Sequence, residues 1–178
     1  MRCLTIFRLP VGKLRRHAAA WFISFFVLVS GGMGGARADA ASVRPFVSGS
    51  LEKIVAERAG RPFVLALWSV GCTHCPEELK AIGRLKAAHP GLDVVLVAAD
   101  SVDDAPQAEK MARGYGLGAV PQWIFADPMP ERLRFEIDRQ WHGELPRTYF
   151  YDRQHRVEAV SGLVSRQRLA RWVRDNAR

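Results

Sequence analysis

Cys72-Thr73-His74-Cys75 places two thiols three positions apart, between the apolar run Phe63–Trp68 and an amphipathic stretch beginning at Glu77. Strand, paired cysteines, then helix is the layout of a dithiol held at a helix N-terminus. Unpaired backbone N–H groups and the helix dipole there favour a negatively charged sulfur. A stabilised thiolate is a nucleophile towards disulfides, so these four residues already point to thiol–disulfide exchange.

The third cysteine, Cys3, belongs to a segment that reads as an export signal. Arg2, Arg8, Lys13, Arg15 and Arg16 form a positive n-region, and Ala18–Val29 is an apolar stretch of twelve residues. Small residues follow, with Ala36-Arg37-Ala38 and Ala38-Asp39-Ala40 as overlapping cleavage motifs. The expected division is a signal peptide over 1–40, cut near Ala38 or Ala40, and one domain over 41–178 delivered to the periplasm. Twelve apolar residues fall short of the roughly 20 that span a bilayer. A membrane anchor extended through the glycine-rich Ser30–Gly35 is the alternative.

Removing residues 1–40 takes six of the 26 Lys and Arg but only one of the 18 Asp and Glu, so the net charge drops from +8 to +3. The basic character therefore sits in the leader, and a nucleic-acid partner loses its main support. Only Cys72 and Cys75 remain. One closely spaced pair is no multi-disulfide framework, and the 138 residues of 41–178 can bury a core without one. The pair is there for chemistry rather than for stability.

The elements that must hold it are legible on both sides. Ser48 or Ser50 can cap a short helix through Ala59, broken at Arg61-Pro62. Phe63–Trp68 is a continuous apolar strand, buried on both faces. The following helix, Glu77–Ala88, turns Leu79, Ile82 and Leu85 to the core and ends at His89-Pro90-Gly91. Leu92–Ala99 is a second buried strand, Ala105–Arg113 a helix closed by glycines, Gln122–Ala126 a third strand and Glu131–Gln140 a helix. Arg147–Tyr151 and Arg156–Val160 form a hairpin around Asp152-Arg153-Gln154-His155, and Ser165–Asn176 is the last helix. Strands alternating with helices, then a hairpin and a helix, predict an α/β sandwich around a mixed sheet.

This order, with the dithiol between the first core strand and the next helix, resembles the thioredoxin fold, and within it the secreted TlpA/ResA-like thiol–disulfide oxidoreductases. The matching pieces are Leu67-Trp68-Ser69-Val70-Gly71-Cys72-Thr73-His74-Cys75-Pro76-Glu77-Glu78 and Gly143-Glu144-Leu145-Pro146-Arg147-Thr148-Tyr149-Phe150-Tyr151-Asp152. The resemblance implies that Cys72 is the attacking thiol, Cys75 the more buried resolving thiol, and the two a redox-active disulfide. It implies a cis peptide before Pro146, which presents the backbone of Leu145 to an incoming chain beside the sulfurs.

Glu78 lies three residues after Cys75, one turn along the helix on the dithiol side. Proteins of the TlpA/ResA type carry an acid at this spacing, implicated in proton transfer to the buried thiol; the competing reading is that Glu77 and Glu78 simply complement the positive helix end. His74 departs from the family, whose intervening dipeptides often contain proline. Disulfide oxidants such as DsbA and protein disulfide isomerase also place histidine before the second cysteine, where it can stabilise the thiolate and make the disulfide more oxidising. Gly71 replaces the usual tryptophan before the first cysteine, and Ala66 stands where thioredoxins bury an aspartate. Trp141 and His142 are candidates for the rim of a partner groove, whereas His89 and His155 read as loop residues.

The favoured function is a periplasmic reductase of protein disulfides, of the kind serving cytochrome c maturation or metal-site assembly, recharged by a membrane thiol donor such as a DsbD-like protein. It needs no cofactor beyond its own sulfurs. An oxidase or isomerase is the alternative direction. A Cu(I) metallochaperone using the same cysteines is the alternative class, since soft thiolates suit copper. It is disfavoured because Met111 and Met129 are the only thioethers after the leader and form no ligand cluster. Zinc lacks its partner set. A purely structural disulfide across two residues restrains the chain little.

Overall fold

The computed structural model describes residues 42–176. The export signal read over 1–40, with Cys3 and both cleavage motifs, lies outside the described residues.

Six strands form one mixed sheet: β1 (Arg44–Phe46), β2 (Phe63–Trp68), β3 (Val94–Ala98), β4 (Gln122–Phe125), β5 (Arg147–Tyr151) and β6 (Val157–Ser161). Their spatial order is β1-β4-β3-β2-β5-β6. The first four run parallel; β5 runs antiparallel to β2, and β6 antiparallel to β5. The helices are α1 (Ser50–Ala56), α2 (Cys75–Ala88), α3 (Ala105–Gly114), α4 (Pro130–Ile137) and α5 (Arg166–Asn176), with a 3-10 turn at Val102–Asp104. This is the expected α/β sandwich.

The continuous apolar runs make sense as central strands. Along β2, Val64, Ala66 and Trp68 join a core with α2, α3 and α5, while Phe63, Leu65 and Leu67 join a second core with Ile54 of α1 and Leu133 of α4. Alternate residues thus serve opposite faces, and both faces are covered. Helix α2 comes very close to the chain after α3 at Gly83, where a Cβ would lie 2.0 Å from the carbonyl oxygen of Tyr115. Only glycine fits that approach.

Register then decides what meets at one end of the sheet. Trp68 pairs with Ala98 in parallel, and Leu67 pairs with Arg147 in antiparallel sense. The C-terminal ends of β2 and β3 and the start of β5 therefore converge on the segment that carries Cys72. Three expectations are corrected. Strand β1 was not anticipated, since three residues including Pro45 give no period. Ser50 is the first residue of α1 rather than its cap; its Oγ accepts the Val47 N–H at 2.9 Å, and the helix ends at Ala56. His155 is no free loop residue: at φ 56° its ring packs edge-on against Phe63 and Tyr151, with Nε2 2.9 Å from the Arg58 carbonyl oxygen.

Candidate active site

Cys72 and Cys75 form a disulfide with Sγ–Sγ 2.07 Å and Cα–Cα 5.4 Å. Cys72 is half-buried, whereas Cys75 is wholly enclosed by the first core. Helix α2 opens at Cys75 itself, two residues earlier than its periodicity suggests. Pro76 is accepted in this first turn because its missing N–H would have no helical partner there. The Cys75 N–H donates to Cys72 Sγ at 3.1 Å. A reduced Cys72 sulfur would thus sit before a helix N-terminus with a backbone donor aimed at it, the setting that lowers a thiol pKa.

Glu78, one turn further, is 2% exposed. Its Oε1 accepts the Thr148 hydroxyl at 3.2 Å and its Oε2 the Val164 N–H at 3.0 Å, joining α2 to β5 and to the segment after β6. Burial pushes its pKa up more strongly than these two hydrogen bonds pull it down, and the neighbouring Glu77 adds to the rise. Glu77 is exposed. Had Glu78 only complemented the helix dipole, it would not need to be buried.

The Leu145–Pro146 peptide is cis, the conformation that the resemblance implies. Leu145 and Cys72 both pack against the first core, and the Pro146 carbonyl accepts the Gly162 N–H at 2.8 Å. Directly after the proline, the buried Arg147 anchors this loop. Its Nε donates to Tyr149 Oη at 2.7 Å and its Nη1 to Glu144 Oε1 at 2.9 Å; further bonds reach Ser161 Oγ and Asp138 Oδ2. Burial works against ionising Asp138, but the Gln140 N–H, the Arg147 guanidinium and the Tyr149 hydroxyl outweigh it and hold that carboxyl below its usual range. Glu144 is lowered likewise, burial being overcome by the Ser161 hydroxyl, backbone N–H groups including that of His142, and Arg147. Trp141 is buried and donates its indole N–H to the Glu144 carbonyl at 2.8 Å, so it supports the loop from within rather than bordering a groove. His142 is exposed.

Asp100, just past β3, shapes the approach to Cys72. It accepts the Ser69 hydroxyl at 2.6 Å and the Val70 N–H at 3.0 Å. Sequence reasoning passed over both Asp100 and Arg147. A buried arginine within an aromatic strand does call for acids nearby, and the half-buried Asp138 and the exposed Glu144 are those acids. Asp100 offers no such signal, because its partners lie 30 residues away in sequence. Cys72, Cys75, Glu78, Leu145 and Pro146 all gather at this end of the sheet. His74 is there too, but exposed, and its side chain caps no helix N–H.

No protein-family model and no curated protein matches the sequence. Solved structures resemble the fold. A DsbF homologue from Corynebacterium diphtheriae superposes with TM-score 0.55 at 20% identity, over 68% of this chain and 75% of its own. A secreted Mycobacterium tuberculosis disulfide oxidoreductase homologous to E. coli DsbE gives 0.53 at 22%, over 67% and 85%. A thiol:disulfide interchange protein of the thioredoxin family from Chlorobium tepidum gives 0.53 at 17%, over 67% and 82%. The sheet order, the helices on both its faces and these likenesses establish a thioredoxin-like fold, with the Cys72–Cys75 disulfide where β2 hands over to α2.

Proposed function

We propose that this chain is an exported thiol–disulfide oxidoreductase of the TlpA/ResA-like kind, acting as a reductase on the disulfides of other exported proteins. One observation carries the reading: a half-exposed and a wholly buried cysteine are paired at the start of α2, at the sheet end where a cis-proline loop begins. The names of the similar structures, a secreted disulfide oxidoreductase and a thiol:disulfide interchange protein, support it.

In the reduced protein the Cys72 thiolate attacks one sulfur of a client disulfide. A mixed disulfide forms and the client's other sulfur leaves as a thiolate, which takes a proton from water. The Leu145 backbone beside cis-Pro146 holds the client chain extended across the sulfurs. Cys75 then gives its proton to the Glu78 carboxylate and attacks Cys72 Sγ. The Cys72–Cys75 disulfide forms, the client's second sulfur departs, and two electrons have moved from the dithiol to the client. A membrane thiol donor of the DsbD type restores the dithiol.

The reductase direction rests on the Glu78 and Pro146 surroundings. His74, the residue that argues for an oxidant, is exposed and its side chain caps no helix N–H. A copper chaperone would have the two sulfurs but, among the described residues, no third His, Cys, Asp or Glu gathered with them.

Trapping decides the matter. Cys75→Ala expressed in the native compartment should accumulate mixed disulfides through Cys72, and the wild-type protein should reduce insulin. Absence of adducts together with stoichiometric Cu(I) uptake would overturn the enzyme reading. A reduction potential near the strongly oxidising −120 mV, about that of DsbA, would overturn the direction.

A further inference from the structure

Residues 70–72 belong to no helix or strand, yet each of their backbone N–H groups has an acceptor. The Val70 N–H goes to Asp100 Oδ2 at 3.0 Å, the Gly71 N–H to Ser69 Oγ at 3.1 Å and the Cys72 N–H to the Ser69 carbonyl at 3.2 Å. The Ser69 hydroxyl, which accepts from Gly71, itself donates to Asp100 Oδ1 at 2.6 Å, a charge-assisted bond. Asp100 is in turn fixed by the sheet, because the Ala99 N–H donates to the Trp68 carbonyl at 2.8 Å and continues the β2–β3 pairing. One carboxylate from just past the neighbouring strand β3 therefore terminates the network that folds residues 69–72 into a turn. Gly71 has no side chain to pack there, so hydrogen bonds must do what an aromatic residue would do by contact.

We propose that Asp100, acting through Ser69, is a positioning residue that holds Cys72 at closing distance from Cys75. This rests on the dithiol reading and deepens it. Cys75 is locked in the core and in α2 and needs no help; Cys72 leaves a loop, and its freedom sets how often the two sulfurs meet. A fixed turn raises their effective concentration, which favours ring closure over the open dithiol and speeds attack of Cys75 on a mixed disulfide. The first step, attack by Cys72 on an external disulfide, gains nothing from the clamp.

The test compares Asp100→Ala, Asp100→Asn and Ser69→Ala. In Asp100→Ala the equilibrium with glutathione should shift about tenfold towards the dithiol, and resolution of a preformed mixed disulfide should slow by a similar factor. The second-order rate of the Cys72 thiolate with a small aromatic disulfide should stay within about twofold of wild type. Asp100→Asn should lie close to wild type, because its amide oxygen can accept the Val70 N–H while its NH2 donates to Ser69 Oγ. Ser69→Ala should fall between. An Asp100→Ala protein that folds but keeps wild-type equilibrium and resolution overturns the inference. So does Asp100→Asn behaving like Asp100→Ala, which would assign the effect to charge alone. Glutathione equilibrium and resolution need no physiological client, so a chain that reduces no protein disulfide would refute the enzyme reading and leave these measurements standing.

Discussion

Replacing Glu78 by glutamine should stabilise the protein while impairing it, and the two effects have separable sizes. The carboxylate is almost wholly buried, and burial is the dominant influence raising its pKa above 4.5. Glutamine has the same shape: its oxygen can accept the Val164 N–H and its NH2 can donate to Thr148 Oγ1, so neither partner is orphaned. A carboxyl with a raised folded-state pKa binds its proton more tightly in the folded than in the unfolded chain. Its contribution is therefore fully present below about pH 4.5 and is lost as the pH rises through the folded value. Across that window wild type should lose up to about 1.4 kcal/mol per pH unit relative to Glu78→Gln, after which the gap is constant. Urea unfolding of both oxidised proteins from pH 3.5 to 8 measures it, and all other titrating groups cancel in the difference. Curves that run parallel, or a wild type that gains on the variant with rising pH, would refute the reasoning. In the reduced proteins, loss of the proton acceptor should slow mixed-disulfide resolution by about 100-fold or more, with the initial attack by Cys72 unchanged.

Three further outcomes are expected. Arg147→Met leaves the Asp138 and Glu144 carboxylates without their cation; because both reach towards solvent, the cost at pH 7 should be about 2–3 kcal/mol, below that of a fully buried pair. Both carboxyls have lowered pKa values, so their contribution holds above about pH 4.5 and fades as the pH falls through the folded values; in chemical denaturation the deficit of Arg147→Met should shrink in that range. Gly83→Ala gains about 1 kcal/mol of helix propensity. It also drives a methyl group into the Tyr115 carbonyl. The clash should win by about 1–2 kcal/mol, lowering the melting midpoint by several degrees, whereas a higher midpoint would contradict the close approach of α2 to Tyr115. In reduced Cys75→Ala, iodoacetamide should titrate Cys72 well below the free-cysteine value of about 8.5, and a titration at that value would remove the chemical basis of the proposed function.

Much of this was legible before any coordinates. Strand β2 begins and ends where its uninterrupted apolar character does, since burial on both faces leaves no competing period, and β5 keeps the bounds read from its hairpin pattern. The dithiol was readable from its spacing, the cis-proline only through the resemblance, and Glu78 was left between two readings. What escaped is tertiary. Helix α4 stops at Ile137 rather than Gln140 because the Asp138 carboxylate is claimed by Arg147 and by the Gln140 N–H, leaving the last turn no reason to continue. Strand β6 lies one residue later than its alternation suggests, since register with β5 and not its own sparse apolar content fixes its ends. The Asp100 clamp joins residues whose proximity only the parallel β2–β3 register creates.

The two outer strands carry a consequence for a protein whose partners would be unfolded chains with open hydrogen-bonding groups. Strand β1 is three residues long and includes Pro45, which has no N–H to offer. Strand β6 is exposed at every position but the half-buried Val160, with Glu158 at its second position held by Arg168. Neither rim offers a long, uncharged ladder onto which a foreign polypeptide could zip. On the proposed function, a visiting chain would thus be discouraged from annealing sideways into an aggregate and would be left the proline-flanked end.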